Sequence, residues 1–194
     1  MEMDEYNTGY LEIIAGPMKS GKTSRLLQLY KQFKVCDIIT MVINNSKDIV
    51  HSERHLSTHD KIMIPCIQAN TLTELVDFTK DITNTQFIDS KVILINEAQF
   101  FDDIVDWVTI AVEKYNKRVY ICGLNCDFQR KPFGNWLNLE AICDNVIYLH
   151  SWCGICKKKH ALFSHRLSNE TEKIVIGANN YIPLCRKCWM SLNP

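Results

Sequence analysis

The sequence has no net charge, because 22 Lys and Arg residues are balanced by 22 Asp and Glu residues. Without surplus positive charge, the chain lacks the long-range attraction on which non-specific binding to nucleic acids or anionic membranes depends. It also has no apolar run near the ~18 residues of a membrane span, and its acidic start, MEMDEY, lacks the basic and apolar regions of a signal peptide. We therefore expect a cytoplasmic protein with no nucleic-acid or membrane partner.

Glycine and proline are also scarce, at seven and five of 194 residues, and the chain has no linker rich in Gly, Ser or Pro and no internal repeat. These absences exclude collagen-like and low-complexity chains, and the 46% apolar content argues against disorder. Cysteine, by contrast, is plentiful, with nine residues. Because nine is an odd number and no export signal is visible, a disulfide framework is a poor explanation, and some cysteines must be free or bound to metal.

Short apolar runs alternate with helical patterns over residues 1–149. The predicted strands are Tyr10–Ala15, Val35–Ile43, Lys91–Ile95, Arg118–Gly123 and Val146–Leu149, with a further short strand at Lys61–Cys66. Helical spacing follows the first strand and recurs over Asp102–Tyr115, and the capping box Thr71-x-x-Glu74 predicts a helix over residues 71–80. Strands alternating with helices predict an α/β domain with a parallel sheet and helices on both faces.

One glycine-containing loop carries a phosphate-binding pattern. Its sequence, Gly16-Pro17-Met18-Lys19-Ser20-Gly21-Lys22-Thr23, fits G-x-x-x-x-G-K-[ST] and lies between a predicted strand and a predicted helix. The glycines let backbone N–H groups point at phosphate oxygens, and the helix directs its positive dipole end at them. Lys22 would neutralise the β- and γ-phosphates, and Thr23 would bind Mg²⁺ through its hydroxyl. The loop therefore predicts a site for ATP and Mg²⁺.

The buried strand Lys91–Ile95 is followed directly by Asn96 and Glu97. Open α/β sheets bind ligands at the carboxyl ends of their strands, and an Asp in the position of Asn96 normally holds a water on Mg²⁺. The Asn96 amide oxygen can accept from such a water but supplies no negative charge, so we expect weaker metal binding. Glu97 is a candidate to accept a proton from a substrate hydroxyl.

Two cysteine pairs lie in the last 45 residues, where the alternation of strands and helices ends and no long helix is predicted. Cys153-x-x-Cys156 and Cys185-x-x-Cys188 are separated by 28 residues. Four thiolates complete the tetrahedral shell of Zn²⁺ and leave no position open for water, so the site would be structural. Redox motifs or unrelated core cysteines are the alternatives. We expect residues 150–194 to form a small zinc-binding lobe.

These motifs, together with Thr58-His59-Asp60 in a long polar loop and Phe128-Gln129-Arg130-Lys131-Pro132-Phe133-Gly134, occur in one order. That series closely resembles the type II thymidine kinases from about Tyr10 to Cys188. The resemblance implies a RecA-like P-loop core, a zinc lobe with a lasso loop, and transfer of the ATP γ-phosphate to the 5′-hydroxyl of thymidine in deoxynucleoside salvage. It also implies a homotetramer and feedback inhibition by thymidine triphosphate (dTTP).

The resemblance assigns roles to particular residues. Glu97 would be the general base. The thymine ring would be enclosed by Met18, Phe101, Leu124, Phe128 and Phe133, with Ser164 sensing bulk at position 5. Within the lasso, roughly Phe163–Tyr181, the strand Ile174, Val175, Ile176 and Gly177 would offer backbone groups to the base, and Tyr181 would bond to the sugar. The long segments 44–61 and 163–181 would act as lids.

The chain also departs from this family's pattern. Lys19 replaces a usually apolar residue and Asn96 a usual Asp, and the extra cation of Lys19 is a hypothetical compensation. Arg130 and Arg166 are candidate cations near the transferred phosphate. Because the sequence ends soon after Cys188, we expect no long C-terminal tail of the vertebrate kind, and a viral or bacterial source.

Two other functions are compatible with parts of the pattern. A RecA-like ATPase acting on single-stranded DNA would need a basic, aromatic-bearing groove, whereas the only dense basic run is Lys157-Lys158-Lys159-His160. A zinc-ribbon interaction module with a vestigial nucleotide site is the second alternative, and Asn96 is its best support. Measured turnover with deoxynucleosides separates both from a kinase.

Overall fold

A parallel sheet is the centre of the molecule. The computed structural model describes residues 8–48, 55–57, 62–170, 172, 175 and 180–193. Six parallel strands pair in the order β5-β2-β6-β7-β1-β8. They are β1 (Tyr10–Ala15), β2 (Thr40–Asn45), β5 (Ile67–Ala69), β6 (Val92–Asn96), β7 (Arg118–Gly123) and β8 (Asn145–Tyr148). The predicted α/β class with a parallel sheet is confirmed.

Apolar side chains cover both faces of this sheet. The helices are α1 (Lys22–Val35), α2 (Thr85–Asp89) and α3 (Ile104–Glu113), with 3-10 turns at Ala98–Phe100 and Trp136–Ala141. In the central strand β6, Ile93 and Ile95 pack in the cluster that contains α3, whereas Val92 and Leu94 pack in the cluster that contains α1. Burial on both faces explains why this strand is a continuous apolar run without polar alternation.

Two predicted elements are wrong in position or type. The predicted strand Val35–Ile43 begins only at Thr40, because α1 continues through Val35 and a turn with Asp37 in the left-handed region (φ 52°) follows it. No helix covers residues 71–80. The Asp103 carboxylate accepts the backbone N–H groups of Leu72 and Thr73, at 3.2 and 2.8 Å, so these donors are held by a distant residue.

The expected capping box fails in detail as well. The Glu74 carboxylate accepts from the backbone of Asn70 at 3.1 Å, and the chain makes a single turn in which Val76 N–H donates to Leu72 C=O. Helix α2 starts later, where the Asn84 side chain accepts from Phe87 N–H at 3.0 Å. A side-chain cap of the predicted kind is therefore present, but it is formed by Asn84 at the start of α2 and not by Thr71.

The described residues from 150 onward, here called the cysteine lobe, consist of short elements. They are β9 (Ser151–Trp152), β10 (His160–Ala161), β11 (Phe163–Arg166), β12 (Tyr181–Leu184) and α4 (Arg186–Leu192). Strands β9 and β10 pair with each other, as do β11 and β12, both antiparallel. A third hairpin joins β3 (His55–Ser57) to β4 (Met63–Pro65), the latter within the predicted Lys61–Cys66 strand.

None of the helices in the part of the chain that the structure describes has the length and hydropathy needed to span a bilayer.

Candidate active site

Four neighbouring strands end at one edge of the sheet, where the residues that follow them lie close together. Parallel strands all present their carboxyl ends there. The loop from Gly16 follows β1, Asn96 ends β6 beside Asn44 of β2, and Leu124 follows β7. The sheet order β2-β6-β7-β1 thus brings together residues that are more than 100 positions apart in sequence.

The loop after β1 turns sharply into α1. Gly21 caps this helix at φ 88°, a left-handed conformation that costs glycine little. The Lys22 side chain folds back and donates to Pro17 C=O at 2.8 Å, and it is buried. Burial lowers the pKa of the Lys22 ammonium, while the nearby negative charge of Glu97 acts in the opposite direction. Lys19, by contrast, is exposed.

Asn96 lies at the centre of a polar network at the end of β6. Its Oδ1 accepts from Cys122 Sγ at 3.0 Å and from Thr23 Oγ1 at 3.4 Å, and its Nδ2 donates to Asn44 Oδ1 at 2.8 Å. Asn44 in turn donates to Asp48 at 3.3 Å. The network connects Thr23 to the Asp48 carboxylate, which follows β2. Negative charge is therefore present near Asn96 although Asn96 itself is neutral.

Glu97 follows β6 in the left-handed conformation, at φ 56°, which is uncommon for a residue with a side chain. Burial raises the pKa of the Glu97 carboxyl, and the negative charge of Asp48 raises it further, whereas Lys22 and a hydrogen bond from Gln99 lower it. A carboxyl group with a raised pKa beside a buried ammonium is typical of functional sites.

Gln99 orients the Glu97 carboxylate. Its Nε2 donates to Glu97 Oε2, and its Oε1 accepts from Leu124 N–H at 2.9 Å. A Cβ atom added at Gly123 would lie 2.6 Å from Gln99 Oε1, so glycine is what lets the amide approach β7 this closely. Sequence reasoning assigned no role to Gln99 or to Asp48. Gln99 lies only two residues after Glu97, whereas Asp48 is remote from it in sequence and had no local signal.

The residues expected to enclose a nucleobase fall into two groups. Phe101 and Phe133 are almost fully buried, and the edge of the Phe133 ring meets Phe100 with centroids 5.4 Å apart. Leu124 and Phe128 are half-buried and lie in the segment that follows β7. Phe101 also belongs to the apolar cluster of α3, so its ring contributes to the core.

Two of the expected substrate residues join the cysteine lobe to the loop after β1. The backbone N–H of Met18 donates to Ser164 Oγ at 2.9 Å, and Ser164 is buried on β11. Val175 and Tyr181 also meet, because the Tyr181 hydroxyl donates to Val175 C=O at 3.0 Å. Ile174, Ile176 and Gly177 lie outside the described residues, as do Thr58, His59 and Asp60.

Arg130 and Arg166, the candidate cations near the transferred phosphate, both lie against aromatic rings. The Arg130 guanidinium lies 3.7 Å from the ring centroid of Trp189 in α4, and Arg166 lies 3.8 Å from that of Phe128. Arg130, from the segment after β7, therefore contacts the cysteine lobe, and Arg166, from the lobe, contacts the segment after β7. The two residues link these parts of the molecule, a role that the sequence did not indicate.

The four paired cysteines converge. The Sγ atoms of Cys153, Cys156, Cys185 and Cys188 all lie within 4.8 Å of one another, and those of Cys156 and Cys185 are 3.9 Å apart. Tetrahedral zinc with Zn–S bonds of about 2.3 Å requires sulfur atoms about 3.8 Å apart. All nine cysteines of the chain are free of disulfides. The cluster therefore fits a structural zinc ion.

Comparison with known proteins identifies the family. A family model described as thymidine kinase matches residues 9–189. The chain belongs to the thymidine kinase family. The thymidine kinase of Yaba monkey tumor virus is 38% identical over 187 residues, which cover 96% of this chain and 97% of the viral protein.

Other thymidine kinases match over similar lengths. That of Vaccinia virus strain Western Reserve is 37% identical over 95% of this chain and 98% of its own length. That of Mesomycoplasma hyopneumoniae strain 7448 is 34% identical over 93% of this chain and 95% of its own length. The matches cover both the sheet and the cysteine lobe, so the family relation applies to both regions.

Proposed function

We propose that this protein transfers the γ-phosphate of ATP to the 5′-hydroxyl of thymidine, giving thymidine monophosphate and ADP. The observation that carries this proposal is that Glu97, at the end of β6, lies close enough to the buried Lys22 of the loop Gly16–Thr23 for each charge to shift the pKa of the other. Gln99 connects the Glu97 carboxylate to Leu124, at the start of the segment 124–133 that carries the aromatic side chains. A half-buried carboxylate close to a phosphate-binding ammonium suits phosphoryl transfer to a hydroxyl group.

The loop Gly16–Thr23 would bind the ATP phosphates through its backbone N–H groups and the N-terminus of α1. Lys22, which now donates to Pro17 C=O, is close enough to the loop to turn to a phosphate oxygen. Thr23 Oγ1 and Asn96 Oδ1, 3.4 Å apart, are oxygen donors of the kind Mg²⁺ takes directly or through water. When bound, Mg²⁺ neutralises charge on the phosphates.

Glu97 would take the proton from the 5′-hydroxyl as that oxygen attacks. Its raised pKa makes it a better proton acceptor than an ordinary surface glutamate. Gln99 holds the carboxylate in position through Glu97 Oε2 and is itself fixed by Leu124 N–H. Positioning of this kind is the main contribution that a protein makes to phosphoryl transfer.

The thymine ring would lie against Met18, Leu124 and Phe128, with Phe101 and Phe133 behind them, and Ser164 would limit bulk at position 5. The lasso backbone at 174–177 would contact the base and Tyr181 the sugar. We further propose a two-domain division at residues 149 and 150, a homotetramer, feedback by thymidine triphosphate and action in the cytoplasm, all by likeness to the family.

A coupled assay of the zinc-replete protein with Mg²⁺-ATP and each of the four deoxynucleosides tests this function. We expect phosphorylation largely confined to thymidine, and a fall in kcat of about 10²- to 10⁴-fold in Glu97→Gln. Glu113→Gln, an exposed site at the end of α3, is the matched control and should keep full activity. No turnover with any deoxynucleoside, while ATP and zinc still bind, would instead support the interaction module.

A further inference from the structure

We propose that Arg166 is a positioning residue for the nucleoside: its guanidinium fixes the Phe128 ring, the Tyr181 hydroxyl and the lasso backbone with respect to one another. This inference rests on the proposed function, because it concerns how thymidine is held. Arg166 lies on β11 and is only 4% exposed, so its charged group is inside the protein. A buried guanidinium that touches two predicted substrate contacts, Phe128 and Tyr181, needs a reason beyond solubility.

The hydrogen bonds of Arg166 tie the lasso together. Nε and Nη2 both donate to the Tyr181 hydroxyl, at 3.2 and 2.9 Å. Nη1 donates to the backbone carbonyls of Glu170, at 3.0 Å, and Glu172. One planar group therefore joins β11, β12 and the segment between them. Arginine can do this because its five N–H donors are held in a rigid fork.

The same guanidinium covers one face of the Phe128 ring, with its central carbon 3.8 Å from the ring centroid. Phe128 belongs to the segment after β7, so this contact crosses from the cysteine lobe to the sheet. A cation on one face of an aromatic ring leaves only the other face available for stacking with a base. Arg166 thus decides which side of Phe128 the thymine ring can use.

Arg166 also determines the hydrogen-bonding direction of Tyr181. A phenolic hydroxyl has one proton to donate and two lone pairs. Both lone pairs are used by Arg166, and the proton is directed at Val175 C=O, 3.0 Å away. Toward a ligand, Tyr181 can therefore only donate, and a sugar oxygen would replace the Val175 carbonyl as acceptor. Because Val175 is half-buried, water can satisfy its carbonyl after that exchange.

Steady-state kinetics of Arg166→Gln and Arg166→Lys test the inference. For Arg166→Gln we expect the KM for thymidine to rise about 10- to 100-fold, since hydrogen bonds to a charged group are lost, with the KM for ATP within about twofold of wild type. Arg166→Lys keeps the charge but not the fork, so it should fold yet still raise the KM for thymidine. Arg118→Gln is the matched control, because its guanidinium lies 4.7 Å from the Tyr10 ring at the opposite end of the sheet.

A double-mutant cycle with Tyr181→Phe separates positioning from general stability. If Arg166 acts through the Tyr181 hydroxyl, Arg166→Gln should raise the KM for thymidine less in the Tyr181→Phe background than in wild type. Equal rises in both backgrounds, an equal rise in the KM for ATP, or a wild-type KM for thymidine in Arg166→Lys would overturn the inference. If wild-type protein phosphorylates no thymidine, the proposed function fails instead, so the two failures are distinguishable.

Discussion

The sheet core and the cysteine lobe are stabilised by different interactions. The sheet has a large apolar cluster on each face, and its central strand β6 is buried throughout. The cysteine lobe has a buried cluster of only Cys153, Leu184, Cys185 and Trp189, two of which are predicted metal ligands. Apolar burial is the dominant stabilising contribution in folding, and small units without enough of it depend on metals or other cross-links.

This difference corresponds to a division of tasks. The loop Gly16–Thr23 and Glu97 are attached to strands of the sheet, whereas Ser164, Val175 and Tyr181 come from the lobe. The phosphate chemistry would therefore be held by the part that folds through its own core. The nucleoside would be bound in part by the cysteine lobe, whose folded structure would depend on zinc.

Loss of zinc should produce the largest difference in stability between the sheet and the cysteine lobe. Structural zinc contributes about 10–16 kcal/mol of apparent binding free energy in small domains, so Cys185→Ser should release the metal and unfold the lobe. Metal analysis and hydrogen exchange measure this, and protection should be lost over 150–193 but kept in β1, β6 and β7. Cys36→Ser, at an exposed cysteine, is the control. Unchanged protection of the lobe after zinc release would refute the metal's structural role.

A cavity in the sheet should have the complementary effect. Leu94 is fully buried in β6, and Leu94→Ala should lower the free energy of unfolding by about 3–5 kcal/mol through lost burial and the cavity left behind. Denaturant titration measures the loss, and zinc content should be unchanged. Val35→Ala, at a site 85% exposed, should change stability little. Release of zinc by Leu94→Ala would mean that the two regions unfold as one unit.

Placing a carboxylate at Asn96 tests whether the end of strand β6 holds the Mg²⁺ that accompanies the phosphates. Asn96→Asp should lower the Mg²⁺ concentration for half-maximal activity about tenfold, because ligand charge strengthens Mg²⁺ binding. It should also reduce stability, since Asn96 Nδ2 now donates to Asn44. Mg²⁺ titration of kcat measures the first effect, with exposed Asn116→Asp as control. An unchanged Mg²⁺ requirement would contradict a role for Asn96 at the metal.

The contact between Arg130 and Trp189 offers the smallest and most local test. A cation–π contact of this kind contributes about 0.5–2 kcal/mol, so Arg130→Gln should lower the Tm by a few degrees. Hydrogen exchange should increase in α4 more than in the sheet. The neighbouring exposed Lys131→Gln provides the comparison. Equal loosening of β6 would show that Arg130 does not act at the boundary between the two regions.

Local sequence patterns predicted the parts of the fold that local physics decides. The run Lys91–Ile95 is apolar throughout because β6 is buried on both faces, and this also placed Asn96 and Glu97 at the edge of the sheet. The helix predicted over residues 71–80 stops after a single turn, whose first N–H groups donate to Asp103, some 30 residues away. A capping signal does not determine how many turns follow it, because tertiary context overrides local helix propensity.

The same limit applies to the candidate site. Gly16–Thr23 and the cysteine pairs are contiguous motifs, so their positions were predictable, and the convergence of the four thiols bears out the pairs. The contacts of Asp48 with Asn44 and of Arg166 with Phe128 join segments that only the folded chain brings together. No spacing rule indicates such pairs, so neither contact could be predicted from the sequence.

Equilibrium binding of thymidine and of a non-hydrolysable ATP analogue, to zinc-loaded and zinc-stripped protein, tests the division of tasks most directly. The ATP analogue should bind both forms with affinities within about threefold, because its loop belongs to the sheet. Thymidine should bind the zinc-loaded form and lose most of its affinity when zinc is removed. Equal thymidine affinity for both forms would contradict a thymidine site that depends on the cysteine lobe. Loss of affinity for both ligands after zinc removal would contradict the division of tasks between the two regions.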